Sequence, residues 1–188
     1  MKESATLYAS SPSKQLALTA MFAALCFIGT IVIVIPMPFG FFNLGDVFVL
    51  LAGWCLGPLY GGVAAAVGSS LADIVAGFPL YAPATFFIKG LDAIVAYLVW
   101  LLLKKVIRND KLDVLPRAIS ALAGECVMAI GYFSYECLLY GVSGALAAVL
   151  GNVMQGLFGA VLGVALILCL VSIKPMNKLF PHLKKKKE

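Results

Sequence analysis

Within the stretch APATFFIKGLDA, residues 82–93, Lys89 and Asp92 stand three positions apart in an otherwise apolar run. That spacing places an ammonium and a carboxylate on one helix face, where they can pair with each other or jointly hold a polar solute. Thr85, Lys89, Asp92 and Ala96 continue the face. Comparable stripes recur: Gly62, Ala66, Ser69 and Asp73; Glu125, Ala129, Tyr132 and Glu136; and Asn152, Gln155, Gly159 and Gly163. Stripes of small and polar residues belong where helices face one another or a cavity instead of lipid. Together with Asn43, Asp46 and Tyr81 from the connecting loops, these stripes nominate a binding site of Asn43, Asp46, Tyr81, Lys89, Asp92, Tyr132, Glu136, Asn152 and Gln155.

Each member has a purely structural alternative. Asp46, after Asn43-Leu44-Gly45, suits a helix cap. Lys89 can pair within its helix with Asp92 or bridge to Asp73, Glu136 can sit at a helix interface, and Asn152 and Gln155 can be interhelical hydrogen-bond glue. One count weighs against structure alone. Asp46, Asp73, Asp92 and Glu136 share a single cation, Lys89, so either some carry protons or the site draws a cationic or donor-rich solute. Glu125, nearer the basic end of its run, is assigned elsewhere.

The elements that position these residues follow from composition. The chain has 188 residues, 62% hydrophobic and 12% charged, about half the charged share of a soluble domain. It is therefore an integral membrane protein. Lys2 and Lys14 precede the first apolar run; Lys104, Lys105, Arg108, Lys111 and Arg117 fill one loop; Lys174, Lys178 and Lys184–Lys187 end the chain. Only Lys89 lies outside these three clusters, which form a topology pattern and do not imply nucleic acid.

The uncharged stretch Val47–Ala72 spans about 39 Å as one helix, long for one crossing and short for two. Gly57-Pro58 offers a turn within it. Splitting it puts all three basic clusters on one side of the membrane. The expectation is an all-α membrane protein with six transmembrane helices and cytoplasmic N- and C-termini, one integral domain over 1–188. The helices are expected near 15–35, 45–57, 59–77, 84–103, 117–139 and 144–172, with a basic cytoplasmic tail over 174–188. The nominated polar residues then fall mostly in the outer half, and the short second helix needs burial by its neighbours.

Several chemistries have no residues to carry them. There is no GxxxxGK[ST] loop, no HExxH and no GxSxG, so ATP hydrolysis, zinc chemistry and serine hydrolysis lack candidates. The five cysteines are scattered without a CxxC pair, and the single histidine, His182, sits in the tail. The expectation is no enzyme, no metal and no cofactor.

LALTAMFAALCFIGT, FNLGDVFVLLAGWCLGPLYGG, GSSLADIVAGFPLYAPATFFIKGLDA and the small-residue last helix together resemble the S component of an energy-coupling factor (ECF) vitamin transporter, over about residues 14–173. The resemblance implies six helices and a vitamin held near the extracellular face. It also implies that the AxxxA face of helix one docks a transmembrane T component coupled to two cytosolic ATPase subunits, which use the ATP. Carried onto this chain, Ala17, Ala20 and Ala24 are the docking face. Localisation would be a bacterial plasma membrane, with the lipid bilayer as a further partner. The middle block looks most like members assigned to vitamin B6 or hydroxymethylpyrimidine, with a riboflavin-type member as runner-up. A stand-alone proton-coupled transporter and a ligand-free scaffold are the readings of other classes.

Overall fold

The computed structural model describes residues 11–32, 34–36, 41–107, 113–180 and 183. Arg108, Lys111, His182 and Lys184–Lys187 lie outside them, as do Lys2 and the 37–40 part of the first outer loop. The described chain is helical apart from one two-residue pairing. Helix α1 runs Pro12–Val32; strands β1 (Ile35–Pro36) and β2 (Phe41–Phe42) pair antiparallel, Ile35 opposite Phe42. Then come α2 (Gly45–Val75), α3 (Ala82–Val106), α4 (Val114–Ser172) and a short α5 (Lys174–Leu179). Helices α1 to α4 are each long and apolar enough to cross a membrane. Helix α1 both starts and stops about three residues earlier than the hydropathy pattern suggests, because the chain turns into the strand pairing after Val32.

Two of the long helices are broken. Gly57 has φ 81° and ψ −177°, a left-handed conformation that glycine adopts without the clash a Cβ would bring. Pro58 then opens the next segment, where its missing N–H leaves no donor unpaired. Helix α4 breaks in the same way at Gly141, with φ 72° and ψ 172°.

The first half of α2 is the core of the molecule. From Gly45 to Leu56 every residue but Leu44's near neighbour Phe48 is buried. Glycines let neighbours approach it from all sides: Gly29 of α1 abuts Phe48, Gly61 of the second half of α2 abuts Ala52, and Gly163 of α4 abuts Leu50. Gly53 itself lies against the Ala93 backbone of α3. A segment of about 18 Å is too short to span a bilayer alone; here helices, not lipid, surround it. A Cβ at Gly53 would overlap the Ala93 carbonyl oxygen, which cannot rotate away. Gly53→Val is therefore expected to cost about 1–3 kcal/mol by overpacking, measured as a lower thermal midpoint in detergent, whereas Gly77→Ala, with open space around it, costs only its backbone strain.

A second knot closes the end where α3 finishes and α4 begins. Arg117 belongs to the basic loop in the charge pattern, yet it is fully buried. Its guanidinium carbon lies 3.9 Å from the Trp100 ring centroid and 5.2 Å from that of Trp54. Its Nε donates to Asp113 (3.3 Å) and its Nη2 to the Leu183 carbonyl (2.9 Å). Asp113 also accepts from Trp100 Nε1 and pairs with Lys104, each at 3.3 Å. Phe180 and Leu183 are buried, and Phe180 meets Phe22 of α1 edge to face at 5.8 Å. The segment after α4, expected only as a basic tail, thus folds back onto the bundle at Phe180 and Leu183.

Candidate functional site

Asp46 is the second residue of α2, yet it meets Lys89, which lies about 10 Å along α3. Helix α2 therefore begins well inside the bundle, and its first turn carries a carboxylate to the interior. Asp46 does not cap that helix: the N-cap is Leu44, with no side-chain cap hydrogen bond. Instead Lys89 Nζ donates to Asp46 Oδ1, and Gln155 Nε2 of α4 donates to Asp46 Oδ2 at 2.7 Å. Gln155 Oε1 accepts from the Asn43 backbone N–H (3.0 Å) and from Asn43 Nδ2 (3.2 Å). Asn43 Oδ1 in turn accepts from the Gly45 N–H at 2.8 Å. Asn43, Asp46, Lys89 and Gln155 thus form one continuous buried network joining α2, α3 and α4. In a low-dielectric interior such bonds reinforce one another and fix the helices in a single arrangement.

One turn before Lys89 on α3 lies a second group. Thr85 Oγ1 donates to Asp73 Oδ2 of α2 and shares a hydrogen bond of 2.9 Å with the Tyr132 hydroxyl of α4. Lys89 Nζ sits 5.5 Å from the Tyr132 ring centroid, linking the two groups. Neither partner expected for Lys89, Asp73 or Asp92, is the one it bonds; its partner is Asp46.

Nearer the start of α3, the aromatic residues gather. Tyr81 lies 6.4 Å from Tyr132, 5.8 Å from Tyr135 and 6.4 Å from Phe78, measured between ring centroids. Tyr135 Oη donates to the Leu80 carbonyl at 2.6 Å. Glu136 and Asn152, on either side of the Gly141 break, come close enough to interact with each other, and Glu136 with Tyr81. Among the described residues, Tyr81 Oη, Glu136 Oε2 and Asn152 Nδ2 are buried and none makes a well-aligned hydrogen bond. Burial, and the neighbouring Tyr140 hydroxyl and Glu136 carboxylate, push the Tyr81 phenol up from its ordinary range, so its hydroxyl stays protonated. One donor hydroxyl, one carboxylate oxygen and one amide N–H₂ beside three tyrosine rings can hold a flat ring with polar edges.

Asp92 faces Lys89 without a hydrogen bond to it among the described residues. Among the described residues, neither of its carboxylate oxygens nor either of Glu125's has a hydrogen-bond partner. One oxygen from each of Asp46, Asp92 and Glu125 lies within 4.8 Å of the others. Glu125, assigned elsewhere from its depth, therefore belongs to the central cluster. Its stripe with Tyr132 and Glu136 carried the signal, since all three share one face of α4. Thr85, Asp73 and Tyr135 are further members that the nominated set leaves out. On α1, Ala17, Ala20 and Ala24 are all exposed, on the face opposite the buried Thr19, Phe22, Cys26 and Gly29.

Comparison with known proteins places this arrangement. A solved structure described as the structure and mechanism of the S component of a bacterial ECF transporter superposes with a TM-score of 0.62, at 23% identity, covering 85% of this chain and 96% of that one; the two share a fold. A Pyrococcus woesei protein described as an uncharacterized protein in the gap 3' region is 33% identical over 136 residues, 71% of this chain and 86% of its own length. The model of the ECF-type riboflavin transporter S component matches residues 11–172. The glycine-packed apolar helices and the match over nearly the whole chain lead to one conclusion: the chain belongs to the ECF-type riboflavin transporter S component family.

Proposed function

We propose that this chain is the solute-binding S component of an ECF-type importer in the plasma membrane. It binds a heteroaromatic vitamin near the outer face and relies on a transmembrane T component and two cytosolic ATPase subunits for the energy step. One observation supports the reading above the others: a phenol (Tyr81), a carboxyl (Glu136) and an amide (Asn152) gather within interaction range of one another beside Tyr132 and Tyr135. A flat ligand with polar edges can exchange hydrogen bonds with this group while stacking on the tyrosine rings. The Asn43–Gln155–Asp46–Lys89 network forms the wall behind that ligand.

Six crossings with both termini cytoplasmic follow if each half of α2 and of α4 crosses once. The breaks at Gly57 and Gly141 support this count, and it keeps the three basic clusters on one side. The exposed Ala17, Ala20 and Ala24 give helix α1 a flat face for close contact with the T component.

Riboflavin is the first vitamin to test, because the family model is the riboflavin type. Vitamin B6 or hydroxymethylpyrimidine is the second, favoured by the carboxylates of Asp73 and Glu136, which suit a solute rich in N–H and O–H donors.

Reconstitution in liposomes tests the class of activity. Labelled vitamin is expected to enter only when the T component and the ATPases are present and ATP is supplied. Uptake by the chain alone, driven by a proton gradient, contradicts the proposal. Ala20→Leu with Ala24→Leu is expected to weaken assembly with the T component by about tenfold or more, through lost close packing, while vitamin binding by the isolated chain is unchanged.

A further inference from the structure

The network around Lys89 leaves two carboxylates unused. Asp92 is 0% and Glu125 6% exposed, and none of their four oxygens has a hydrogen-bond partner among the described residues. With Asp46 they bring oxygens from α2, α3 and α4 to within 4.8 Å of one another. Glycines make room for them. A Cβ at Gly124 would overlap Asp92 Oδ1, one at Gly156 would stand 3.0 Å from Glu125 Oε2, and one at Gly159 would stand 2.8 Å from Glu125 Oε1.

Charge and size then narrow what fits. Asp46, Asp92 and Glu125 supply three negative charges, and Lys89 is the cation that faces them. Cys26 of α1 and Tyr132 of α4 also face this place and add no positive charge. Two negative charges remain in surplus inside a membrane protein, where each uncompensated ion costs several kcal/mol. A donor set made only of oxygen selects a hard cation. Calcium binds oxygens at about 2.3–2.6 Å in flexible geometry, so it can bridge carboxylates set at irregular angles within 4.8 Å of one another. Magnesium demands a tighter octahedron and keeps several waters, which a site buried to this degree does not favour.

We propose that Asp92 and Glu125, with Asp46, bind a calcium-sized divalent cation that ties α2, α3 and α4 together behind the vitamin site. Three carboxylates, one lysine and one dication sum to zero charge. Asp46, whose oxygens already accept from Lys89 and Gln155, is the shared ligand between the ion and the network.

Titration of the chelator-treated chain in detergent, by calorimetry and by thermal melting, tests the site with calcium, manganese, magnesium and sodium chlorides. Calcium is expected to bind with one-to-one stoichiometry and to raise the thermal midpoint. Asp92→Asn and Glu125→Gln are each expected to weaken it at least about tenfold, while Asp73→Asn leaves it unchanged. Absence of heat and of a thermal shift with every cation in the wild-type chain overturns the proposal. So does stabilisation that acidification reproduces without metal, which would mean that protons fill the site. The wild-type titration decides the matter even where a variant fails to fold, and it involves no vitamin, so it stands or falls apart from the transport reading.

Discussion

Replacing Lys89 by methionine is expected to cost about 3–5 kcal/mol of stability. Methionine keeps much of the side-chain volume, so the loss comes from charge and not from a cavity. Lys89 is 3% exposed and its partner Asp46 is 0% exposed. Without the ammonium, Asp46 keeps only the Gln155 amide as a donor, and a buried carboxylate near Asp92 and Glu125 loses the cation that offsets all three. Lys89→Met with Asp46→Asn is expected to recover more than half of the loss, since it removes both charges and leaves an amide for Gln155 to bond. Unfolding in mixed detergent micelles measures the cycle, and the coupling between the two sites is the informative quantity. A double variant no more stable than Lys89→Met would show that the pair is not the source of the stability.

Arg117→Leu is expected to be the second most damaging change, at about 2–4 kcal/mol. The guanidinium lies over the Trp100 and Trp54 rings and is bonded to Asp113 and to the Leu183 carbonyl. Its loss removes the aromatic stack and the hydrogen bond that anchors the chain after α5 in one step. Arg117→Lys is expected to restore little, because an ammonium has no planar fork to stack and bond in two directions at once. The distinguishing readout is local: proteolytic trimming beyond Leu179 is expected to accelerate in both variants, while the α2–α3 core stays protected. Equal loss of protection throughout would mean that Arg117 supports the whole bundle and not the anchor.

Much of the architecture was legible because a membrane chain writes its elements in hydropathy and its breaks in glycine. Gly57-Pro58 marked the interruption of α2 without any structure. The nominated residues Asn43, Asp46, Lys89 and Gln155 do meet, because helical stripes of polar residues must face inward. Partner choice was not legible. Spacing offers Lys89 either Asp92 or Asp73, but Asp46 wins because α2 starts deep in the bundle, and no local pattern encodes the depth at which a helix begins. Glu125 was set aside for a related reason, its depth being judged along its own helix and not relative to the sunken start of α2. Charge pattern reads Arg117 only as one cation of the basic loop, because it carries no information about the two tryptophans, 63 and 17 positions away in sequence, whose rings it lies over.

Vitamin binding by the purified chain is the most direct test of the central claim. Titration calorimetry in detergent with riboflavin, pyridoxine and hydroxymethylpyrimidine is expected to give saturable one-to-one binding with one of the three. Asn152→Ala and Tyr81→Phe, each removing one hydrogen-bonding group from the cluster with Glu136, are expected to weaken it by about tenfold each. A folded chain that binds none of the three vitamins, and that carries no small molecule through purification by mass spectrometry, would contradict the claim.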